Sequence, residues 1–198
     1  MFCILDRIEC QADKFVDFWS AQYLFPNEDL YTEHISKPIF SREDLKALFL
    51  WKNGMRLSGK KDAALSGKIL RRLTAINELK ANFLQEQFDR KFTDLSAIWK
   101  IFLLHCVQPK TYPIFDQHVY RAMCYMQSGA ITELGNNSTQ KYTQYFESYL
   151  PFYSSVVKRS YRDPVKVDRA LWVFGKTLKD PLAQKVMLDR NGIWARTQ

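Results

Sequence analysis

Residues 108–123 read QPKTYPIFDQHVYRAM, and the apolar run LSAIWKIFLLHCV, residues 95–107, leads directly into them. Pro109 and Pro113 bracket a connection that cannot be helical throughout, and Pro113 pushes Tyr112 towards an extended conformation. After Ile114 and Phe115, Asp116 precedes Val119, Met123 and Met126 at helical spacing. Asp116 is therefore placed at a helix start, beside unpaired backbone N–H groups and the positive end of the helix dipole. The preceding run has only Ser96, Lys100 and His105 as clearly polar side chains. A helix apolar nearly all round belongs in the middle of a domain. The expectation is a buried helix, a proline-braced turn and an acid at a helix start, in direct succession.

Outward from this stretch the periodicity stays helical. Residues 9–24 set Phe15, Phe18, Trp19 and Tyr23 on an amphipathic helix that stops near Pro26, and residues 27–35 suit one more short helix. Ser41-Arg42-Glu43-Asp44 has the form of a capping signal before Leu45, Leu48, Phe49 and Trp51, with Gly54 as the left-handed closing residue. Residues 55–61 read as a loop that sets Arg56, Lys60 and Lys61 beside Ser58 and Gly59. Small residues with cations suit a backbone phosphate contact, and an ordinary solvated loop accounts for them equally well. Residues 62–90 read as helix, with Lys68, Arg71 and Arg72 close together as a basic patch or a plain charged face. Thr93 or Asp94 is expected to cap the buried helix. On that helix Lys100 has apolar neighbours above and below. It either snorkels to a rim or sits desolvated, which favours the free amine.

Past Gly129, residues 138–158 carry Tyr142, Tyr145, Phe146, Tyr149, Phe152 and Tyr153, with Pro151 interrupting. Residues 165–178 present Val167, Leu171, Trp172 and Phe174, and residues 182–188 suit a last short helix. No alternating strand pattern occurs. The fold expected is all-α, a single helical domain with a possible division into lobes 1–92 and 93–198.

The balance of 29 basic against 21 acidic residues, net +8, suits a polyanion partner without choosing among DNA, RNA and other anions. Nearly half the residues are apolar, which excludes disorder. Cys3, Cys10, Cys106 and Cys124 show no C-x-x-C pairing and read as reduced thiols of a cytoplasmic protein. Closely spaced cysteines for an iron–sulfur cluster are absent, and His34, His105 and His118 are too scattered to suggest zinc. No apolar run is long enough to span a membrane, and the acids within and just after the short apolar start are unlike a signal peptide.

The string P-x-x-Y-P-I-F-D-Q-H-V-Y-R-A, Pro109 to Ala122, resembles the catalytic turn of the helix-hairpin-helix DNA glycosylases. Within that superfamily it is most similar to the bacterial proteins related to 8-oxoguanine DNA glycosylase. VDRALWVFGK, Val167 to Lys176, is similar to the late helix that closes the base pocket in that branch. The resemblance implies a monomer that acts without a cofactor on duplex DNA carrying a modified base, possible candidates including an oxidised purine. It makes Asp116 the catalytic acid and His118 a phosphate contact; the basic residues Arg121, Lys60, Lys61, Arg71 and Arg72 are the further DNA contacts expected from their charge. Phe115 and Tyr120 are expected to line the pocket, and Trp172 joins them on the resemblance alone.

This chain departs from the family in two places. The usual hairpin glycines are replaced by Phe92-Thr93-Asp94-Leu95-Ser96-Ala97, so the hairpin is another turn or DNA is gripped elsewhere. The lysine nucleophile of bifunctional members falls at Ser96 or Ala97, leaving Lys100, one turn further in, as the candidate amine. The rival expectation is a glycosylase-like domain that binds DNA or RNA without chemistry.

Overall fold

The computed structural model describes residues 11–182, and every regular element among them is helical. The chain forms two compact units, one from residues 1–23 with 113–198 and the other from residues 24–112. That division differs from a boundary at 92/93. Its cause is the first described helix, α1 (Ala12–Ser20), which packs against the last described one. Phe15 and Trp19 of α1 meet the Phe174 ring at 5.3 and 5.2 Å, so segments far apart in sequence share one core. Phe18, expected on the same apolar face, is exposed instead.

In the unit of residues 24–112, α2 (Asp29–Thr32) precedes α3 (Arg42–Asn53). Ser41 and Asp44 form the reciprocal capping box, and Gly54 closes α3 at φ 69°. Burial alone would raise the Asp44 carboxyl. Hydrogen bonds from Lys37, Ser41 and His34 outweigh it and hold the group well below the usual carboxylate range. The expected loop at 55–61 is shorter than predicted, because α4 (Gly59–Ala64) takes Lys60 and Lys61 into its first turn. A π-helical turn (Leu65–Ile69) and a 3-10 turn (Leu70–Arg72) link α4 to α5 (Leu73–Ala81), and α6 (Gln85–Lys91) follows.

The apolar run becomes α7 (Ala97–Val107), buried along most of its length. Its N-cap is Ser96, with no side-chain cap bond; neither Thr93 nor Asp94 caps it. Asp94 is taken by Arg72, whose guanidinium donates to both carboxylate oxygens at 2.6 and 3.1 Å. His105 on α7 is buried. Its Nδ1–H donates to the Tyr112 carbonyl at 2.7 Å, so Nε2 accepts from the Tyr31 hydroxyl at 2.8 Å. The carbonyl just before Pro113 is thereby fixed.

In the other unit, α8 (Gln117–Ser128) starts at Asp116 and ends at Gly129, φ 74°. α9 (Ser138–Gln144) runs through a π-helical turn (Tyr145–Tyr149) into α10 (Leu150–Ser160), and α11 (Pro164–Thr177) packs on α1 and α8. Pro151 does not break the helix as expected. A proline ring clashes with the carbonyl four residues back, and the wider π-turn just before it relieves that conflict. Most of the short helix expected at 182–188, together with Cys3 and Cys10, lies outside the described residues.

Candidate functional site

Asp116 has extended backbone, φ −158° and ψ −175°, and its Oδ1 accepts from the N–H of His118 at 2.9 Å and of Val119 at 3.2 Å. The side chain is partly exposed. The turn that carries it is clamped at two further points within the same unit. The Tyr145 hydroxyl donates to the Pro113 carbonyl at 3.0 Å, and the Ile114 N–H donates to Asp168 Oδ2 at 3.4 Å. A π-turn residue and a carboxylate on α11 therefore hold the residues that lead into Asp116.

Phe115, expected to face a base, is 1% exposed. Its ring lies 5.4 Å from Tyr145, 5.1 Å from Tyr149 and 6.2 Å from Tyr120, which makes it the core of the turn. Tyr120 is also buried, and its hydroxyl accepts from Gln144 Nε2 at 3.3 Å. Neither ring can stack on a nucleobase from where it sits, so both pocket assignments are corrected. The cause is packing: Phe115 against Tyr145 and Tyr149, and Tyr120 against Phe115.

Trp172 is placed differently. It is partly exposed, 5.3 Å from the His118 ring and 5.7 Å from the Tyr23 ring, with Lys176 Nζ 4.8 Å above it. Structure thus brings together His118 and Trp172, two residues that sequence placed on separate motifs.

Arg121, expected to contact DNA, is 1% exposed. It donates through Nε and Nη2 to Glu133 at 2.8 and 2.9 Å, and through Nη1 to the Gly175 carbonyl at 2.6 Å and His118 Nδ1 at 3.3 Å. A guanidinium with its fork spent inside the protein cannot reach a phosphate, so Arg121 is a buried tie between α8 and α11. Gly175 permits that closeness: a Cβ there would lie 1.9 Å from the His118 carbonyl oxygen.

The remaining candidates lie in the unit of residues 24–112. Lys60, Lys61 and Arg71 are exposed; Lys61 donates to Asn53 Oδ1. Arg72 is tied to Asp94 and stands 5.6 Å over the Phe92 ring, so it is committed to the turn before α7. Lys68 closes the same turn by donating to the Asp94 carbonyl at 2.6 Å. These cations do for residues 92–96 what glycines would do differently: they shape the turn by pinning it from outside. Lys100 pairs with Asp89 at 2.6 Å and lies 6.0 Å over the Phe88 ring. It is neither desolvated among apolar groups alone nor snorkelled to open water.

Sequence reasoning passed over Tyr149, Gln117 and Asp168. The Tyr149 hydroxyl and the Gln117 Nε2 are buried without a hydrogen-bond partner among the described residues. Burial raises the Tyr149 phenol well above its ordinary range, and the nearby Asp168 and Asp116 carboxylates add to the effect. Asp168 had a readable signal, since it lies one helical turn before Trp172 on the same face. The two buried donors had none, because a missing partner is a property of packing.

Among the described residues, no cluster of His, Cys, Asp and Glu could hold a metal ion, and no helix is long and apolar enough to cross a membrane. The described cysteines, Cys106 and Cys124, carry free thiols, and burial pushes both upward from the ordinary thiol range. No family model, curated protein or solved structure matches the chain.

Proposed function

We propose that this chain is a base-excision DNA glycosylase of helix-hairpin-helix type, with Asp116 as its working carboxylate. The observation that carries the reading is the pair of buried, unpartnered donors around the Asp116 turn: Gln117 Nε2, next in the chain, and the Tyr149 hydroxyl, whose ring packs on Phe115. Each such group costs roughly 1–3 kcal/mol. A helix cap alone gives no reason to retain two of them beside one carboxylate, whereas reactive sites are where such costs collect.

In this reading the glycosidic bond breaks with positive charge developing on the sugar. The Asp116 carboxylate, held rigid through Oδ1, stabilises that charge and orients or deprotonates the attacking water. The base leaves the stack before reaction, and Trp172 with His118 is the partly exposed aromatic pair available to meet it. Oxidised purines are the first substrates to test, on the strength of the sequence resemblance.

The decisive substitution is Asp116→Asn. Asparagine caps a helix as well as aspartate does, so folding and DNA affinity are expected to stay near wild type while excision across a panel of modified duplexes falls by at least about 100-fold. Unchanged excision by a well-folded Asp116→Asn protein rejects the reading. A wild-type protein that binds DNA and releases no base from any duplex supports the non-catalytic binding alternative.

A further inference from the structure

We propose that the turn joining α10 to α11, residues 158–166, is a nucleic-acid docking surface on which Tyr161 stacks against an unpaired base. This depends on the reading above only for the class of partner, since Asp116 plays no part in it.

Tyr161 closes α10 in the left-handed conformation, φ 52° and ψ 31°, and is 88% exposed. The other left-handed helix ends among the described residues, at residues 54 and 129, use glycine. A bulky side chain is strained in that region, and an exposed ring gains no packing in return. Strain retained for an exposed aromatic is an observation that points outward, to a partner.

The backbone that carries the ring is fixed. Arg162 donates to both oxygens of Asp17 at 2.9 and 2.7 Å, and its N–H donates to Ser160 Oγ at 3.3 Å. Asp163 accepts from the Val165 N–H at 2.8 Å, and the Tyr153 hydroxyl donates to the Pro164 carbonyl at 2.8 Å. A ring presented on a rigid turn loses little freedom on binding. Near it in sequence stand the exposed cations Lys158 and Lys166, and the nearby acids Asp13 and Asp17 face Arg162 while Asp163 caps a helix start. Cations for phosphates with an aromatic platform between them match an unpaired stretch of nucleic acid, because every base has a face to stack.

The test is fluorescence anisotropy with a labelled duplex carrying one unpaired base and the same duplex fully paired, excision being followed in parallel on the panel of modified duplexes. Wild type is expected to bind the unpaired-base duplex more tightly. Tyr161→Gly relaxes the backbone, so its unfolding midpoint stays equal or rises. It is expected to lose about tenfold in affinity for the unpaired-base duplex, the scale of one base–aromatic stack, while Tyr161→Trp keeps it. Lys158→Gln with Lys166→Gln weakens both duplexes alike and flattens the salt dependence. Unchanged binding by Tyr161→Gly, or no binding by wild type, overturns the proposal. Binding through Tyr161 with no base released from any member of the modified-duplex panel rejects the glycosylase reading and leaves this surface standing. Base release with Tyr161→Gly binding as wild type does the reverse.

Discussion

Alanine at Gly175 is the substitution whose outcome the packing of α8 on α11 fixes most firmly. The added Cβ would stand 1.9 Å from the His118 carbonyl oxygen and 2.6 Å from its carbon, and real Cβ contacts stay above 3.0 Å. Opening the nearest contact from 1.9 to 3.0 Å withdraws α11 from the first turn of α8 by about 1.1 Å. The atoms met are backbone, so no side chain can swing aside. The same movement pulls the Gly175 carbonyl from Arg121 Nη1, now 2.6 Å away. Overpacking costs about 1–3 kcal/mol and a hydrogen bond lost from a buried polar group about as much again, against a gain near 1 kcal/mol for alanine over glycine inside a helix. The net expectation is destabilisation by about 1–5 kcal/mol. Urea denaturation followed by circular dichroism measures it. Gly67→Ala is the control, because a Cβ there meets no atom within 4 Å and should be neutral or mildly stabilising. A Gly175→Ala protein as stable as wild type, or more so, refutes the reasoning. In the proposed glycosylase, base excision is expected to fall as well, since the displaced turn carries His118 and adjoins Asp116.

Two further outcomes follow. Burial lowers His105 to about 4; the hydrogen bond to Tyr112 opposes the shift, and Lys52 and Lys80 add to it. With the folded value below the unfolded one near 6.5, the stability it contributes is whole above pH 6.5 and is lost as pH falls towards 4. That amounts to about 2–3 kcal/mol by pH 4.5, measured as the difference in pH dependence between wild type and His105→Gln; parallel curves would refute it. Lys100 lies in an ion pair with Asp89, and a paired ammonium has no lone pair for attack on the sugar. Borohydride added during turnover is therefore expected to trap no protein–DNA adduct, and an adduct lost in Lys100→Gln would overturn that assignment.

Much of the backbone plan was legible because its signals are local. The Ser41 and Asp44 capping box, the glycine ends at 54 and 129 and the Asp116 cap each lie within a few residues of what they control. What escaped depends on partners distant in sequence. Arg121 reads as a surface cation until Glu133 and the Gly175 carbonyl are seen around it. Asp94 reads as a cap until Arg72, on another helix, claims it. Phe115 follows a proline turn like a pocket residue, and only the rings of Tyr145 and Tyr149 show that it is core. Gly175 was readable in principle: a glycine inside an otherwise regular helix marks close approach or costs stability for nothing.

Capping and catalysis at Asp116 are compatible demands. A carboxylate that stabilises a short-lived cation must not reorient as the charge appears, because reorganisation would consume the benefit. Oδ1 is held by two backbone N–H groups, and the turn behind it is fixed at Pro113 and Ile114. In the proposed glycosylase the cap therefore serves as preorganisation of that carboxylate. The two roles part at one point only. Asparagine keeps the acceptor for His118 and Val119 and removes the negative charge, so Asp116→Asn leaves a purely structural residue working and stops a catalytic one.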